Sequence, residues 1–269
     1  MPTILRASFR AAATISIAAL ASAQDGQLDR VGRAAHDGDS KKSSSKGFSI
    51  DLDDDDDDGG LFSFLVQLPL ELPQTMLGDH GGATAFAFYP YESGGGYWDV
   101  EGPPESVERW SFQPRLERGS DFRGLERTGV GLVVEHASRL VIDTTWSRWT
   151  EDVSSGTDDL DLGDANLCYR FACNDYAAFR AGAGVNWLDD DGGSEAGFNV
   201  TYAVDFLPGS PLTAGMEVDV GTVGEASQFH FRAALGAVLG PAEGFASWDR
   251  FDFGDTELDS FNLGVRLWL

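Results

Sequence analysis

Residues 176–187 read YAAFRAGAGVNW, and the polarity of their side chains alternates from one position to the next. The apolar series is Ala177, Phe179, Ala181, Ala183, Val185 and Trp187, and the polar or small series is Arg180, Gly182, Gly184 and Asn186. Because successive side chains of a β-strand point to opposite faces, this period of two predicts a strand with one apolar face.

The same alternation repeats along the chain, interrupted by turn residues about every ten positions, as in strands that cross a membrane. Pro114 interrupts the first candidate strand, and Asp249 shares a face with the phenylalanines of the ninth, so eight strands is the alternative to ten. The ten candidates are 107–117, 127–136, 139–149, 160–171, 176–187, 196–206, 212–221, 227–239, 244–253 and 258–269.

The polar face of these strands mixes opposite charges with glycines, and none of the strands contains a lysine. Small residues and paired charges are typical of a narrow lumen, so the fold class predicted is all-β: an antiparallel up-and-down transmembrane β-barrel of eight to ten strands. The predicted lumen charge network comprises Asp143, Asp164, Arg170, Arg180, Asp205, Glu217, Asp219, His230, Arg232 and Arg266.

The segment before the strands divides into three parts. Residues 1–23 place two arginines before a short apolar run that ends in Ala-Ser-Ala, which is the layout of a cleaved secretory signal peptide. Residues 24–60 form an acidic and Ser/Lys-rich linker that we expect to be disordered. Residues 61–106 are apolar and then Gly/Pro-rich, so an irregular segment is expected before the barrel of 107–269.

The links between predicted strands differ at the two ends of the barrel. Links 137–138, 172–175, 207–211 and 240–243 are short, whereas 150–159 and 188–195 are longer and acidic. Outer-membrane barrels have short periplasmic turns, which predicts a periplasmic C-terminus. Aromatic residues predicted to project from the apolar face, near the two bilayer interfaces, are Trp146, Phe171, Trp187, Phe198, Phe206, Phe229, Phe253 and Phe261.

The chain ends in NLGVRLWL, residues 262–269. This ending resembles the C-terminal assembly signal of Gram-negative outer-membrane proteins, carried here by Asn262, Gly264, Leu267 and Leu269, although the family usually ends in an aromatic residue and this chain ends in Leu269. The resemblance implies residence in the outer membrane, with membrane lipids and the barrel-assembly machinery as partners.

Composition limits the partners and cofactors. There are 44 acidic residues against 19 Lys and Arg, a formal net charge of −25, which argues against a nucleic-acid partner. Cys168 and Cys173 lie near one predicted hairpin, and either free thiols or a disulfide is compatible with their spacing. No metal-ligand spacing or nucleotide loop is present, so no metal and no other cofactor is expected.

Of the four histidines, only His230 is predicted to face the lumen near the outer end of a strand. Asp219 or Glu217 on the neighbouring strand, together with Ser227, would suit acyl transfer at the rim. A lumenal histidine held by a carboxylate is the favoured interpretation, so we expect no enzyme.

The function expected is therefore a mostly closed barrel with a structural or interaction role at the cell surface. Three alternatives stay open: a narrow cation-preferring pore or transporter, a rim enzyme using His230, and a soluble secreted barrel that binds an apolar ligand.

Overall fold

A computed structural model describes residues 26–37, 85–92, 96–98, 107–154 and 156–269. The predicted signal peptide and most of the predicted linker lie outside these residues. The elements, in chain order, are α1 (Gln27–Asp37), β1 (Trp110–Ser120), β2 (Leu125–His136), β3 (Leu140–Val153), β4 (Gly156–Cys173), β5 (Ala177–Asp190), β6 (Gly193–Gly209), β7 (Leu212–Val223), β8 (Ala226–Leu239), β9 (Ala242–Phe253) and β10 (Thr256–Leu267).

The ten strands form one closed antiparallel barrel in which each strand pairs with its neighbours in sequence and β1 pairs with β10. The β1–β10 ladder begins at Arg115, directly after Pro114, because proline has no backbone N–H to donate. Beyond that interruption, Phe112 and Leu269 exchange two backbone hydrogen bonds of 2.8 and 3.0 Å. The ten-strand prediction is confirmed, and the eight-strand alternative is wrong.

Apolar side chains cover the outside of the barrel and polar side chains fill the inside. Leu167, Leu235 and Leu263 are 62, 71 and 72% exposed, whereas the lumen-facing charges of the same strands are buried. This is the reverse of a soluble barrel, which buries its apolar side chains, so the apolar-ligand alternative does not fit the fold.

Two predicted loops are wrong, because strand pairing continues through them. The β3–β4 ladder runs to the pair Val153↔Gly156, and the β5–β6 ladder runs to Asp190↔Gly193. Cross-strand side-chain contacts support the extension: Thr150 Oγ1 donates to Asp159 at 2.9 Å, and Ser194 Oγ donates to Asp189 at 2.5 Å. The acidic segments 150–159 and 188–195 are therefore the ends of long hairpins.

Helix α1 corrects the prediction of disorder over residues 24–60 at Gln27–Asp37, where the structure has three turns of helix. Its apolar side chains Leu28, Val31 and Ala35 follow a spacing of three and four residues and form one buried stripe. Average composition does not detect so narrow a stripe in a polar segment. The helix lies inside one mouth of the barrel, which is called the helix end below; the opposite mouth is the C-terminal end.

The C-terminal end is closed by part of the segment that precedes β1. Phe86, Tyr97 and Trp98 are buried with Leu207 and Trp268, and Phe86 forms single β-bridges with Trp98 and Glu108. The barrel therefore has a cap of apolar and aromatic side chains at each end, with the charged lumen between them. In the described part of the chain, no helix has the length and apolar character needed to cross a membrane.

Candidate functional site

The helix end of the lumen is filled by an apolar layer. Side chains from the ends of the strands line the lumen beneath α1. They are apolar because they contact the helix and not water. The layer contains Leu28, Val31 and Ala35 of α1 with Leu125, Trp149, Leu160, Leu162, Leu188, Val223, Ala226, Phe251, Phe253 and Leu258 of the barrel. Phe253 is thus buried inside the barrel, which corrects its predicted place among the outward aromatic residues.

Polar contacts fix the two ends of α1. At its start, the Leu28 N–H donates to the Glu151 carboxylate at 3.2 Å. At its end, the His36 ring lies 2.8 Å from Asp190 and 3.2 Å from Glu195, one contact at each ring nitrogen. Hydrogen bonds to these two carboxylates raise the pKa of His36 above its ordinary value, because both partners favour the imidazolium form.

Below the apolar layer lies the first charged layer, centred on Arg232 and Asp249. These residues are direct cross-strand partners on β8 and β9, with Arg232 Nη1 at 2.8 Å from Asp249 Oδ2. Arg232 also donates to Glu117 of β1 at 2.6 Å, and Glu117 accepts from Arg127 at 2.6 Å. The layer therefore joins the two sides of the barrel wall.

His230 belongs to the same layer. Its Nδ1 lies 2.8 Å from Asp219 Oδ2, its Nε2 lies 3.3 Å from Asp249 Oδ1, and its ring stacks on Phe251 at 4.0 Å. Ser227 is exposed on the outer face of β8, because it has the opposite strand parity to His230. The grouping of Ser227 with His230 for acyl transfer is therefore wrong.

The second charged layer, nearer the C-terminal end, is centred on Arg180. Its Nη2 donates to Asp143 at 2.9 Å and to Glu217 at 3.4 Å, and its Nη1 donates to Asp205. One guanidinium thus connects carboxylates from β3, β6 and β7. Arg170 pairs with Glu135 in the same region, and both are almost completely buried.

An aromatic cap covers this second layer. The Tyr97 and Trp268 rings meet edge to face with centroids 4.7 Å apart, and the Arg170 guanidinium lies 5.1 Å from the centre of the Phe86 ring. Trp268 Nε1 donates to the Glu243 carboxylate at 2.9 Å, which connects the cap to the polar lumen.

All ten residues of the predicted lumen network line the inside of the barrel. Arg266 lies 3.7 Å from Asp205 and 3.8 Å from Glu243, and Asp164 contacts Thr145 and Asn166 instead of an arginine. The prediction omitted several buried charged residues, most of them on β1, β2 and β9, although extending the alternation through the two weaker strands would have found many of them. The omitted residues are Arg115, Glu117, Arg127, Glu135, Arg139, Glu243 and Asp249.

The residues of the predicted C-terminal signal lie on both faces of the barrel end. Asn262 is buried and donates to Asp249 at 2.8 Å, so this position also has a place in the lumen. Leu267 and Leu269 are exposed on the outer face. Cys168 and Cys173 are both buried, and no disulfide joins them.

No protein-family model matches this chain, and no curated protein matches it in sequence. Solved structures resemble it distantly. An outer-membrane channel from Pseudomonas putida F1 is 11% identical over 60% of this chain and 95% of that one, with a TM-score of 0.37. The translocator domain of the autotransporter NalP from Neisseria meningitidis is 10% identical over 78% of this chain and 96% of that one, with a TM-score of 0.33.

A third similar structure is the β domain of the Bordetella autotransporter BrkA, which is 11% identical over 60% of this chain and 99% of that one, with a TM-score of 0.35. The class rests on the chain's own topology: a closed ten-stranded barrel, apolar outside and charged inside. That is the architecture of the small outer-membrane β-barrels.

Proposed function

We propose that this chain is a barrel of the outer membrane whose lumen does not conduct and whose role at the cell surface is structural or interactive, without enzymatic activity. The proposal rests on the ion pairs that cross the lumen in two layers, between the apolar layer at the helix end and the aromatic cap at the C-terminal end.

The ion pairs leave little space for solutes. Arg232 spans from β8 to Glu117 of β1, and Arg180 joins three separate strands, so each layer reaches across the barrel. Small barrels have lumens that side chains can fill. A cation-preferring pore would have to break these buried pairs, although the acidic hairpins at the helix end would attract cations.

The outer surface supports membrane residence and lipids as partners. A continuous apolar exterior needs hydrocarbon around it, and a closed barrel has no unpaired strand edge inside the bilayer. The proposed route is export by the signal peptide of residues 1–23, followed by insertion by the barrel-assembly machinery, which would recognise the end of β10.

The hairpins at the helix end are the proposed interaction surface. Asp159, Asp189, Asp191 and Asp255 are exposed there, and the extended β3–β4 and β5–β6 hairpins present the first three of them. With the C-terminal end in the periplasm, these acidic tips face the outside of the cell, where they would favour cationic partners.

Planar bilayers test the closed lumen. Mature protein that shows heat-dependent gel mobility, and is therefore folded, is expected to give no reproducible conductance steps. A variant lacking residues 26–37 should also stay closed, because the charged layers remain. Steps in the full-length protein would establish a pore. Steps in the truncated variant alone would assign closure to α1 and contradict a lumen closed by its ion pairs.

The absence of enzymatic activity has its own test. His230 would be the general base of a rim enzyme, so a His230→Gln variant is compared with wild type in lipase and protease assays. Equal background rates are expected. Hydrolysis by wild type that disappears in the variant would establish the enzyme alternative.

A further inference from the structure

Three potential metal ligands meet in the lumen at the side of the first charged layer. Glu217, Asp219 and His230 are all buried, and each offers a ligand atom within 4.8 Å of those of the other two. We propose that they bind one divalent transition-metal ion of the zinc class. This site is additional to the proposed function, and the closed lumen does not depend on it.

The strand register brings the three residues together. Glu217 and Asp219 are two positions apart on β7, so both side chains point into the lumen. Asp219 and His230 are direct cross-strand partners on β7 and β8. The ligands thus come from two adjacent strands of a closed ladder, which holds their backbones in place. Their spacing, Glu-x-Asp with a histidine eleven positions further along, matches no standard metal-binding motif.

The hydrogen bonding of His230 suits a metal ligand. Its Nε2 faces Asp249, a carboxylate that already accepts from Arg232 at 2.8 Å and from Asn262 at 2.8 Å. When this carboxylate accepts from Nε2–H, Nδ1 is left unprotonated and can bind a metal ion beside Asp219. Metal-binding histidines commonly have a carboxylate partner of this kind on their other ring nitrogen.

Asp219 provides a second, independent observation. Its Oδ1 is buried and has no hydrogen-bond partner among the described residues, while its Oδ2 faces His230. An unpaired carboxylate oxygen is costly to bury, and polar groups buried without a partner are uncommon. A bound cation would coordinate this oxygen. It would also offset the repulsion between the Asp219 carboxylate and the lone pair of an unprotonated Nδ1.

Local charge also favours a cation. Glu217 and Asp219 place carboxylate oxygens within 4.8 Å of each other, and like charges at that distance repel. No ion pair among the described residues joins an arginine to Asp219, or to Asp164 of the same lumen network, whose carboxylate accepts from Thr145 and Asn166. Glu217 has Arg180 at 3.4 Å, but that arginine also serves Asp143 and Asp205.

The ligand set identifies the class of metal. One imidazole nitrogen with carboxylate oxygens suits Zn²⁺ and related transition ions, whereas Ca²⁺ and Mg²⁺ prefer sites made of oxygen alone. The competing arrangement is a doubly protonated His230 that bridges Asp219 and Asp249 with no metal. The two arrangements differ in a measurable property, the binding of added metal.

The test uses the full mature chain, refolded in detergent from metal-free buffer. Equilibrium dialysis against Zn²⁺ should give about one bound equivalent per chain, and Co²⁺ should give the visible absorption of a protein-bound ion. Mg²⁺ should not compete. Failure of folded wild-type protein to bind Zn²⁺ would overturn the proposal in favour of the protonated histidine.

Variants locate the bound ion. His230→Gln and Asp219→Asn should each abolish the bound equivalent, and Asp249→Asn should weaken affinity by about 10- to 100-fold, as for other partners of metal-bound histidines. His36→Gln is the matched control, because it removes a histidine of α1, and it should bind as wild type does. Heat-dependent gel mobility verifies folding. Undiminished binding in folded His230→Gln would contradict this site even if the barrel is closed.

Discussion

Arg232 of β8 and Glu117 of β1 form an ion pair across the barrel, with Nη2 and Oε2 2.6 Å apart, although β9 and β10 lie between their strands in the wall. Both side chains are buried, and Arg232 also pairs with Asp249. One arginine thus neutralises two carboxylates from different strands, β1 and β9.

Replacing Arg232 with alanine is expected to destabilise the barrel strongly. The change leaves Glu117 and Asp249 with reduced compensation in a buried site, and breaking a buried ion pair from one side costs about 3–5 kcal/mol. Reversible urea unfolding in detergent or lipid measures this loss.

The matched control for that measurement is Arg118→Ala. Arg118 pairs with Glu126 at 2.7 Å on the exposed outer face, where both side chains are mostly exposed. Exposed pairs contribute only about 0–1 kcal/mol, so the control should unfold almost as wild type does. Equal unfolding of the two variants would show that the lumen pairs do not hold the barrel together.

Most of the barrel follows from local sequence. Alternation can be recognised in each strand by itself. Arg180 and Asp205 lie two positions from other lumen-facing residues of their strands, so their side chains also point into the lumen. The two interrupted strands also form, for specific reasons. Pro114 lies where the β1–β10 ladder can omit one bond, and the face of β9 that carries Asp249 and three phenylalanines points into the lumen.

The parts that sequence did not predict are those that depend on distant partners. Leu28 and Val31 have a binding surface only after ten strands have closed into a mouth of the right width. The role of Asp249 beside His230 likewise depends on β8 and β9 being paired in register. Asp219 was predicted as a partner of His230 because both lie on strands with clear alternation.

The proposed position in the membrane predicts that a charged residue on the outer face lowers the free energy of unfolding by an amount that depends on its depth in the bilayer. Leu235 lies near the middle of the outward apolar series 229–239 of β8 and is 71% exposed, so Leu235→Arg should cost about 2–4 kcal/mol of folding free energy in lipid. Leu239 ends β8 at the C-terminal mouth, and Leu239→Arg should cost only about 0–1 kcal/mol. Folding titrations in vesicles compare the two. Equal costs would contradict this position of the bilayer.

Docking of α1 is expected to depend on its buried stripe. Leu28 is almost completely buried in the apolar layer, and Leu→Ala changes at such positions cost about 2–5 kcal/mol. Leu28→Ala should therefore increase hydrogen exchange of the α1 amides while the strands stay protected. Exposed Arg30 provides the control, and Arg30→Ala should leave exchange unchanged. Loss of protection in the strands as well would show that α1 is part of the cooperative barrel.

The contact of His36 with Asp190 and Glu195 gives the docking of α1 a pH dependence. These carboxylates raise the pKa of His36 above its ordinary value of 6.5. A raised pKa means that docking favours the protonated ring. This contribution is complete below about pH 6.5 and is lost as the pH rises through the raised pKa.

Protection of the α1 amides, corrected for intrinsic exchange rates, should therefore fall as the pH rises above about 6.5 and His36 loses its proton. His36→Gln keeps a side chain that can hydrogen-bond but does not titrate, so its protection should be lower at about pH 6 and flat across the range. His36 is the member of this contact whose ordinary pKa lies in this pH range. An identical fall in protection in the Gln variant would show that another group controls docking.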